Sequence, residues 1–242
     1  LGGGEVTLLE MTNAYAAFAA GGVAREPVAI LRIRDSEGTV IEEHRPEPGR
    51  QVLDPGRAYL ITNILSDNEA RTPMFGPNSA LRLSVPAAAK TGTTNDYKDC
   101  WTVGYTTSLV AGVWVGNSDG SPMDRVAGSS GAGPIWQRFM EQAVPLMAEE
   151  DKPARDFPRP DNVVDVEVCA VSGQLPGPDC PHKRVELFIR GSEPKEPCSV
   201  HVKLRICRVS GKLAGEHCPA GSIEEKLFER YPEDGRDWAQ RQ

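Results

Sequence analysis

The chain has 242 residues, 39% of them hydrophobic and 25% charged, and a formal net charge of −7. That length can bury a real core in one or two domains. The acidic balance, without any clustered basic face, speaks against a nucleic-acid partner, and the longest clean apolar run, Leu109 to Val115, is far short of the roughly 20 residues a bilayer-spanning helix needs.

The first residues, Leu1-Gly2-Gly3-Gly4, carry no basic, apolar or cleavage-site signature of a leader, and the chain reads as cut from something longer, with any membrane anchor elsewhere. Thr7-Leu8-Leu9-Glu10 has capping-box spacing, and Leu8, Met11, Tyr15 and Phe18 follow at helical period, which predicts a helix over about 7–20 ended by Gly21-Gly22. Residues 28–34 and 39–43 read as two short strands around Asp35-Ser36-Glu37-Gly38. Asp54-Pro55 supplies an N-cap and a proline at the first helical position, so a second helix with Ala58, Ile61 and Leu65 on its apolar face should run to about Asp67. Thr72 to Pro86, with three prolines and a glycine, reads as a loop.

The apolar stretch Pro86-Ala87-Ala88-Ala89 then leads into Lys90-Thr91-Gly92-Thr93-Thr94. A cation, hydroxyls and a residue without a side chain in so few positions can hold an anion. Beyond it, Trp101, Val103 and Tyr105 alternate with smaller residues, Thr106-Thr107-Ser108 interrupts, and the apolar run to Val115 completes an antiparallel hairpin. Asp96 and Asp99 are read as fixing the turn after the Lys90 strand, Cys100 as a small buried residue, and Trp101, Trp114 and Trp136 as core. Gly133-Pro134 opens a helix in which Ile135, Trp136, Phe139, Met140, Ala143, Leu146 and Met147 recur at 3.6 spacing and should cover one sheet face.

From Glu149 the composition turns charged and Pro-rich, as in a linker over 149–164. Past it lies an internal repeat. Cys169-Ala-Val-Ser-Gly-Gln-Leu-Pro-Gly-Pro-Asp-Cys180-Pro returns 38 residues later as Cys207-Arg-Val-Ser-Gly-Lys-Leu-Ala-Gly-Glu-His-Cys218-Pro. Two copies imply a pair of small similar units over 165–242.

Residues 1 to about 147 resemble the transpeptidase domain of class A (bifunctional) penicillin-binding proteins. The matching segments are Leu1-Gly-Gly-Gly-Glu-Val-Thr-Leu-Leu-Glu-Met-Thr-Asn-Ala-Tyr-Ala, then Ala89-Lys-Thr-Gly-Thr-Thr-Asn-Asp-Tyr with Asp99 and Trp101, then Val103-Gly-Tyr and Gly112-Val-Trp-Val-Gly. The resemblance implies an α+β (mixed α/β) fold with an antiparallel sheet covered by helices, a partial serine β-lactamase/penicillin-binding transpeptidase fold over 1–148, followed by a small β-rich extension. It implies a D,D-transpeptidase parent that cross-links peptidoglycan stem peptides through an acyl-serine and reacts with β-lactams, with a glycosyltransferase upstream, working on the extracytoplasmic face of the membrane without a cofactor.

In that family a Ser-x-x-Lys, a Ser-x-Asn and a Lys-Thr-Gly strand meet in one cleft. Carried onto this chain, Lys90 is the third-motif lysine, which supports proton transfer and attracts the substrate carboxylate, and the Thr93 amide is half of an oxyanion hole. Thr91 and Thr93 would bond the carboxylate, with Gly92, Thr94 and Tyr97 further substrate-binding residues; Gly92 leaves space for a peptide against the strand. Ser66-Asp67-Asn68 and Ser192-Glu193-Pro194-Lys195 spell the other two motifs but stand in the wrong places, the first ending a helix close to Lys90 and the second following Lys90 with a proline opposing a helix. The nucleophile and base are therefore expected outside these residues, two strands of the family's sheet with them, leaving a sheet edge and apolar helix surface exposed.

For the cysteines, the eleven-residue spacing suits disulfides pairing Cys169 with Cys180 and Cys207 with Cys218, which the implied oxidising compartment would permit. Free thiols and zinc are the alternatives. Cys198-Ser-Val-His201, His182 and His217 offer zinc ligands, but the eleven-residue step is unlike a knuckle, and no metal is assigned. From another class of function, the extension could instead be a non-catalytic module for cell wall or for a cell-wall synthesis protein; a serine β-lactamase or carboxypeptidase would use the same cleft.

Overall fold

The structure is a computed structural model that describes residues 4–231, 233–235 and 238; the expected motif start at residues 1–3 and the chain's last residues lie outside these. The described chain divides into two compact units, residues 1–161 and 162–242.

In the first unit, helix α1 (Leu8–Ala19) begins on the expected capping box. The Thr7 hydroxyl accepts from the Glu10 amide at 3.2 Å, and the Glu10 carboxylate accepts from the Thr7 amide at 2.8 Å, so two orphan donors are satisfied reciprocally. The chain leaves the helix through Gly22, whose φ of 92° and crowding against the Leu53 carbonyl admit only glycine. Four short strands follow, β1 (Val23–Ala24), β2 (Arg32–Arg34), β3 (Val40–Glu43) and β4 (Arg50–Gln51). β2 and β3 form the expected hairpin, fully exposed and tied by Arg32 to Glu43.

Helix α2 (Pro55–Ser66) starts where Asp54 accepts from the Arg57 amide at 3.1 Å. Its buried stripe is Gly56, Ala58 and Thr62, and Ile61, expected on that face, is 38% exposed. The stretch expected to be a loop opens instead with helix α3 (Asn68–Phe75). Asp67 both ends α2 and caps α3, accepting from the Ala70 amide at 2.9 Å. Pro73 lies near the end of α3, where it forfeits a single intrahelical bond. The local cap outweighs the proline, which the composition of the segment concealed.

The central sheet is β5 (Ala88–Thr93), β6 (Asp99–Tyr105) and β7 (Val110–Gly116), antiparallel in that order, with Lys90 opposite Val103 and Gly92 opposite Trp101. Period-two alternation sends Ala89 and Ala111 to one face, against Leu81, Trp136 and Met140. Ala88 and Tyr105 face the other way, against Tyr15, Phe18, Tyr59, Leu65 and Phe157. Helix α4 (Ala132–Ala143) covers the first face, but its stripe is narrower than expected: Ala132, Trp136 and Met140 are fully buried, while Ile135 and Phe139 are 53% and 50% exposed. The chain tightens into a 3₁₀ turn at Val144–Leu146, which throws Leu146 into solvent.

Trp114, also expected in the core, is 38% exposed and donates to Asp99 at 2.8 Å. Both β5 and β7 end the sheet on one side without a neighbour among the described residues, and Leu9 of α1 is 63% exposed, so the expected open edges and bare apolar surface are present. No described helix is long and apolar enough to cross a membrane.

Residues 149–161, of linker composition, group with this unit. The Ala154 amide donates to Thr107 at 2.8 Å, and Phe157 packs edge-on against Tyr105 with ring centres 5.9 Å apart.

In the second unit the described strands form two antiparallel hairpins, β8 (Val163–Cys169) with β9 (Lys183–Ile189), and β10 (His201–Cys207) with β11 (Ile223–Glu229). The repeat is structural as well as sequential. Gly173 and Gly211, with φ of 68° and 70°, donate back to the carbonyls of Cys169 and Cys207 at 2.9 and 2.8 Å. Between the hairpins, the amide of Cys198 donates to the Leu175 carbonyl at 2.8 Å, which returns the connecting chain to the loop of the first hairpin.

Candidate functional site

The Lys90–Thr94 stretch lines a cleft of about 690 Å³ in the first unit. Asn95, Asp99, Trp101 and Val103 extend this wall, and Met11 and Tyr15 of α1 with Gly4, Glu5 and Val6 form the opposing one. Strand geometry produces the arrangement: Ala88 and Ala89 anchor β5 in the core, and the strand then emerges so that Lys90 and Thr93 are exposed. The Lys90 ammonium bonds the Thr91 carbonyl.

Gly92 is the informative neighbour. A Cβ built there would meet nothing closer than the Trp101 Cβ at 3.4 Å, an ordinary contact, and φ is not positive. The chain itself therefore has room for a side chain at this position. Gly128 differs: a Cβ would strike the carbonyls of Gly92 and Trp101 at 2.7 Å each. Its amide donates to the Thr93 hydroxyl at 3.0 Å, and its carbonyl accepts from the Thr102 hydroxyl at 3.1 Å. The Thr93 side chain is thus oriented from behind, with its own proton still available to a ligand.

The turn beyond β5 is held by Asp99, as expected. Its carboxylate accepts from the Thr94 hydroxyl at 3.0 Å and from the Trp114 indole, while its amide donates to Thr94 at 2.8 Å. Asp96 and Tyr97 take positive φ of 60° and 56° in this turn. Tyr97 is 41% exposed and does not line the cleft. Burial pushes the Tyr15 phenol up and that of Tyr105, behind the sheet, up to about 12, so both are neutral donors at ordinary pH.

Each look-alike motif sits in local structure of its own. Ser66 donates to the Asn63 carbonyl at the α2–α3 joint, and Ser192 to the Ile189 carbonyl in a turn of the second unit.

The profile described as the penicillin binding protein transpeptidase domain matches residues 2–141, and that of the penicillin-binding protein 1A C-terminal domain matches residues 159–203. The chain belongs to the penicillin-binding protein transpeptidase family. It is 36% identical over 203 residues to penicillin-binding protein 2D of Bacillus subtilis, covering 82% of this chain and 28% of that protein. To penicillin-binding protein 1A of Clostridium tetani it is 31% identical over 206 residues, 80% of this chain and 24% of that one. Among solved structures, penicillin-binding protein 1A from Haemophilus influenzae superimposes with a TM-score of 0.65 at 27% identity, covering 80% of this chain and 33% of the other. The chain thus spans about a quarter of the length of the curated relatives it matches.

The cysteines depart from the expected pairing. All six are free thiols in the structure, so neither the Cys169–Cys180 nor the Cys207–Cys218 bridge is formed. Cys100 is fully buried as expected, donating to the Ala127 carbonyl at 3.0 Å and accepting from the Ala132 amide. Cys207 is held down to about 7 by a hydrogen bond from Cys218, and by amides of the same turn.

In the first copy Cys169 and Cys180 are joined by Cys198 and His201, the four ligand atoms all within 4.8 Å of one another. His182 and His217, the other histidines considered as ligands, are exposed and outside this group. The Cys198-x-x-His201 spacing was the signal for it. The eleven-residue step obscured that signal, because the hairpin β8–β9 closes the step in space.

Proposed function

We propose that this chain forms the carboxylate-recognising wall of a D,D-transpeptidase cleft in a longer peptidoglycan synthase. The observation that supports this reading best is the Gly92 position, open within the chain and flanked by an exposed cation and two hydroxyls on a strand that borders a cleft. Lys90 attracts the terminal carboxylate of a stem peptide or β-lactam and supports proton transfer; Thr91 and Thr93 donate to that carboxylate, a charge-assisted pairing stronger than a neutral one. The Thr93 amide supplies one oxyanion donor, the kind whose removal slows acyl transfer about 10²–10³-fold. Thr94 is held by Asp99 and acts by fixing the end of the strand, and Tyr97, outside the cleft lining, is given no part in binding.

The serine nucleophile and its base belong to residues other than these, so the parent acylates and this chain does not. In the parent, a serine attacks the penultimate D-Ala carbonyl, D-Ala leaves, and the acyl group passes to an amine of a neighbouring strand, outside the cytoplasmic membrane. Incubating the chain with penicillin and measuring its intact mass tests this. An unchanged mass is expected, and a stoichiometric covalent adduct would mean that a serine of this chain is the nucleophile.

A further inference from the structure

We propose that Cys169, Cys180, Cys198 and His201 bind one structural zinc ion that fastens the two hairpins of the second unit together. Tetrahedral zinc, with Zn–S of about 2.3 Å and Zn–N of about 2.0–2.1 Å, requires edges of about 3.8 Å between sulfurs and about 3.6 Å between sulfur and nitrogen. The Cys169 and Cys198 sulfurs are 3.6 Å apart, and each is 3.4 Å from the Nδ1 of His201. Three of the four ligand atoms therefore already stand at the edges of a zinc tetrahedron. The Cys180 sulfur, within 4.8 Å of the others, closes it with a small inward movement. A disulfide would need sulfurs about 2.05 Å apart and would leave one cysteine and the histidine unused.

The surroundings suit a metal. Cys169, Cys180 and His201 are buried. The Cys180 sulfur accepts from the Gly177 amide at 3.3 Å, a donor that spreads the charge of a thiolate. With Nδ1 turned to the sulfurs, the buried Nε2 of His201 has no hydrogen-bond partner and lies 3.7 Å from the Glu229 carboxylate. A carboxylate on that side is the kind of outer group that commonly orients a metal-bound imidazole, and a small shift of the ring would bring it within hydrogen-bond reach. Four protein ligands leave no open position, so the role is structural.

The internal repeat supplies the contrast. The second copy repeats the turn and its cysteines, Cys207 and Cys218, but residues 38 positions after Cys198 and His201 are Arg236 and Ala239. The ligands from Cys198 and His201 arrive at the start of β10, so the ion would join the loop of one hairpin to the first strand of the next. Binding exchanges three thiol protons for one divalent ion, leaving three thiolates and a neutral imidazole around it.

The test is metal analysis of the purified full chain. About one zinc per chain is expected, retained in the double variant Cys207→Ser/Cys218→Ser and lost in Cys198→Ser and in His201→Ala. To separate ligand loss from unfolding of the unit, the unaltered chain is also exchanged into cobalt, where the thiolate charge-transfer and strong ligand-field bands of a tetrahedral sulfur-rich site are expected. Wild-type chain without bound zinc after supply of the ion, a non-reducing mass showing a disulfide among Cys169, Cys180 and Cys198, or zinc that follows Cys207 and Cys218 would each overturn the assignment.

Discussion

Gly92 and Gly104 stand on the paired strands β5 and β6, opposite Trp101 and Ala89 respectively, yet they are glycine for different reasons. At Gly104 an added Cβ would collide with Trp136 and with the Ala88 carbonyl at 2.8 Å, so Gly104→Ala should destabilise the first unit by about 1–3 kcal/mol through overpacking. Gly92→Ala should leave thermal stability within about 0.5 kcal/mol of the parent chain, while weakening carboxylate ligands. Thermal melts of the two variants separate the roles.

Thr93 has two duties that substitution can divide. Thr93→Val removes the acceptor of the Gly128 amide and should cost about 1–3 kcal/mol, whereas Thr93→Ser should keep both stability and ligand binding; denaturant unfolding checks the first part. At this scale the sequence displayed the residues of the strand, because Lys-Thr-Gly is local. It did not display Gly128, which is 35 residues away and supports Thr93 from behind. It also offered Tyr97 as a substrate-binding residue, because nothing local announces that the chain turns through positive φ at Asp96 and Tyr97.

Among the elements, those announced by caps and alternation were the legible ones: the box at Thr7 and Glu10, Asp54 before Pro55, and the hairpin from Asp99 to Gly116. Helix α3 was hidden because prolines and glycine dominate its neighbourhood, while Asp67, already assigned to the end of one helix, also begins the next. The width of α4's buried stripe is set by how closely the sheet approaches, and periodicity alone overstated it. Trp136 on that helix is fully buried, so Trp136→Ala should cost about 3–5 kcal/mol, whereas truncating half-exposed Phe139 should cost much less.

Tyr105 links the sheet to α1 and α2, bonding Thr62 at 2.8 Å. Burial raises its phenol from 10 to about 12. Because the raised value favours the neutral form in the folded state, the stabilisation is complete below pH 10 and is lost as pH rises toward 12, by roughly 2 to 3 kcal/mol in all. Alkaline denaturation followed by tyrosine absorbance should show this fall, and Tyr105→Phe should flatten it.

For the molecule as a whole, composition and the repeat gave away a larger mixed unit followed by a smaller strand-rich one. The cysteine grouping was only half legible: the Cys198-x-x-His201 spacing displayed two of its members, but their meeting with Cys169 and Cys180 depends on the returning chain at Leu175 and Cys198. The open edges of the sheet and the exposed Leu9, Ile135 and Phe139 are surface that other parts of a longer protein would cover. Self-association should therefore rise with concentration, as light scattering can follow.

The most direct test of the cleft's role is a titration of the isotopically labelled chain with a peptide ending in D-Ala-D-Ala, followed by amide chemical shifts. Perturbations confined to Lys90–Thr94 and the facing Met11–Tyr15 segment, lost in Lys90→Ala and restored in Lys90→Arg, are the expected result. A peptide that leaves those amides unmoved at saturating concentration, or that perturbs another surface equally in Lys90→Ala, would contradict carboxylate recognition by this strand.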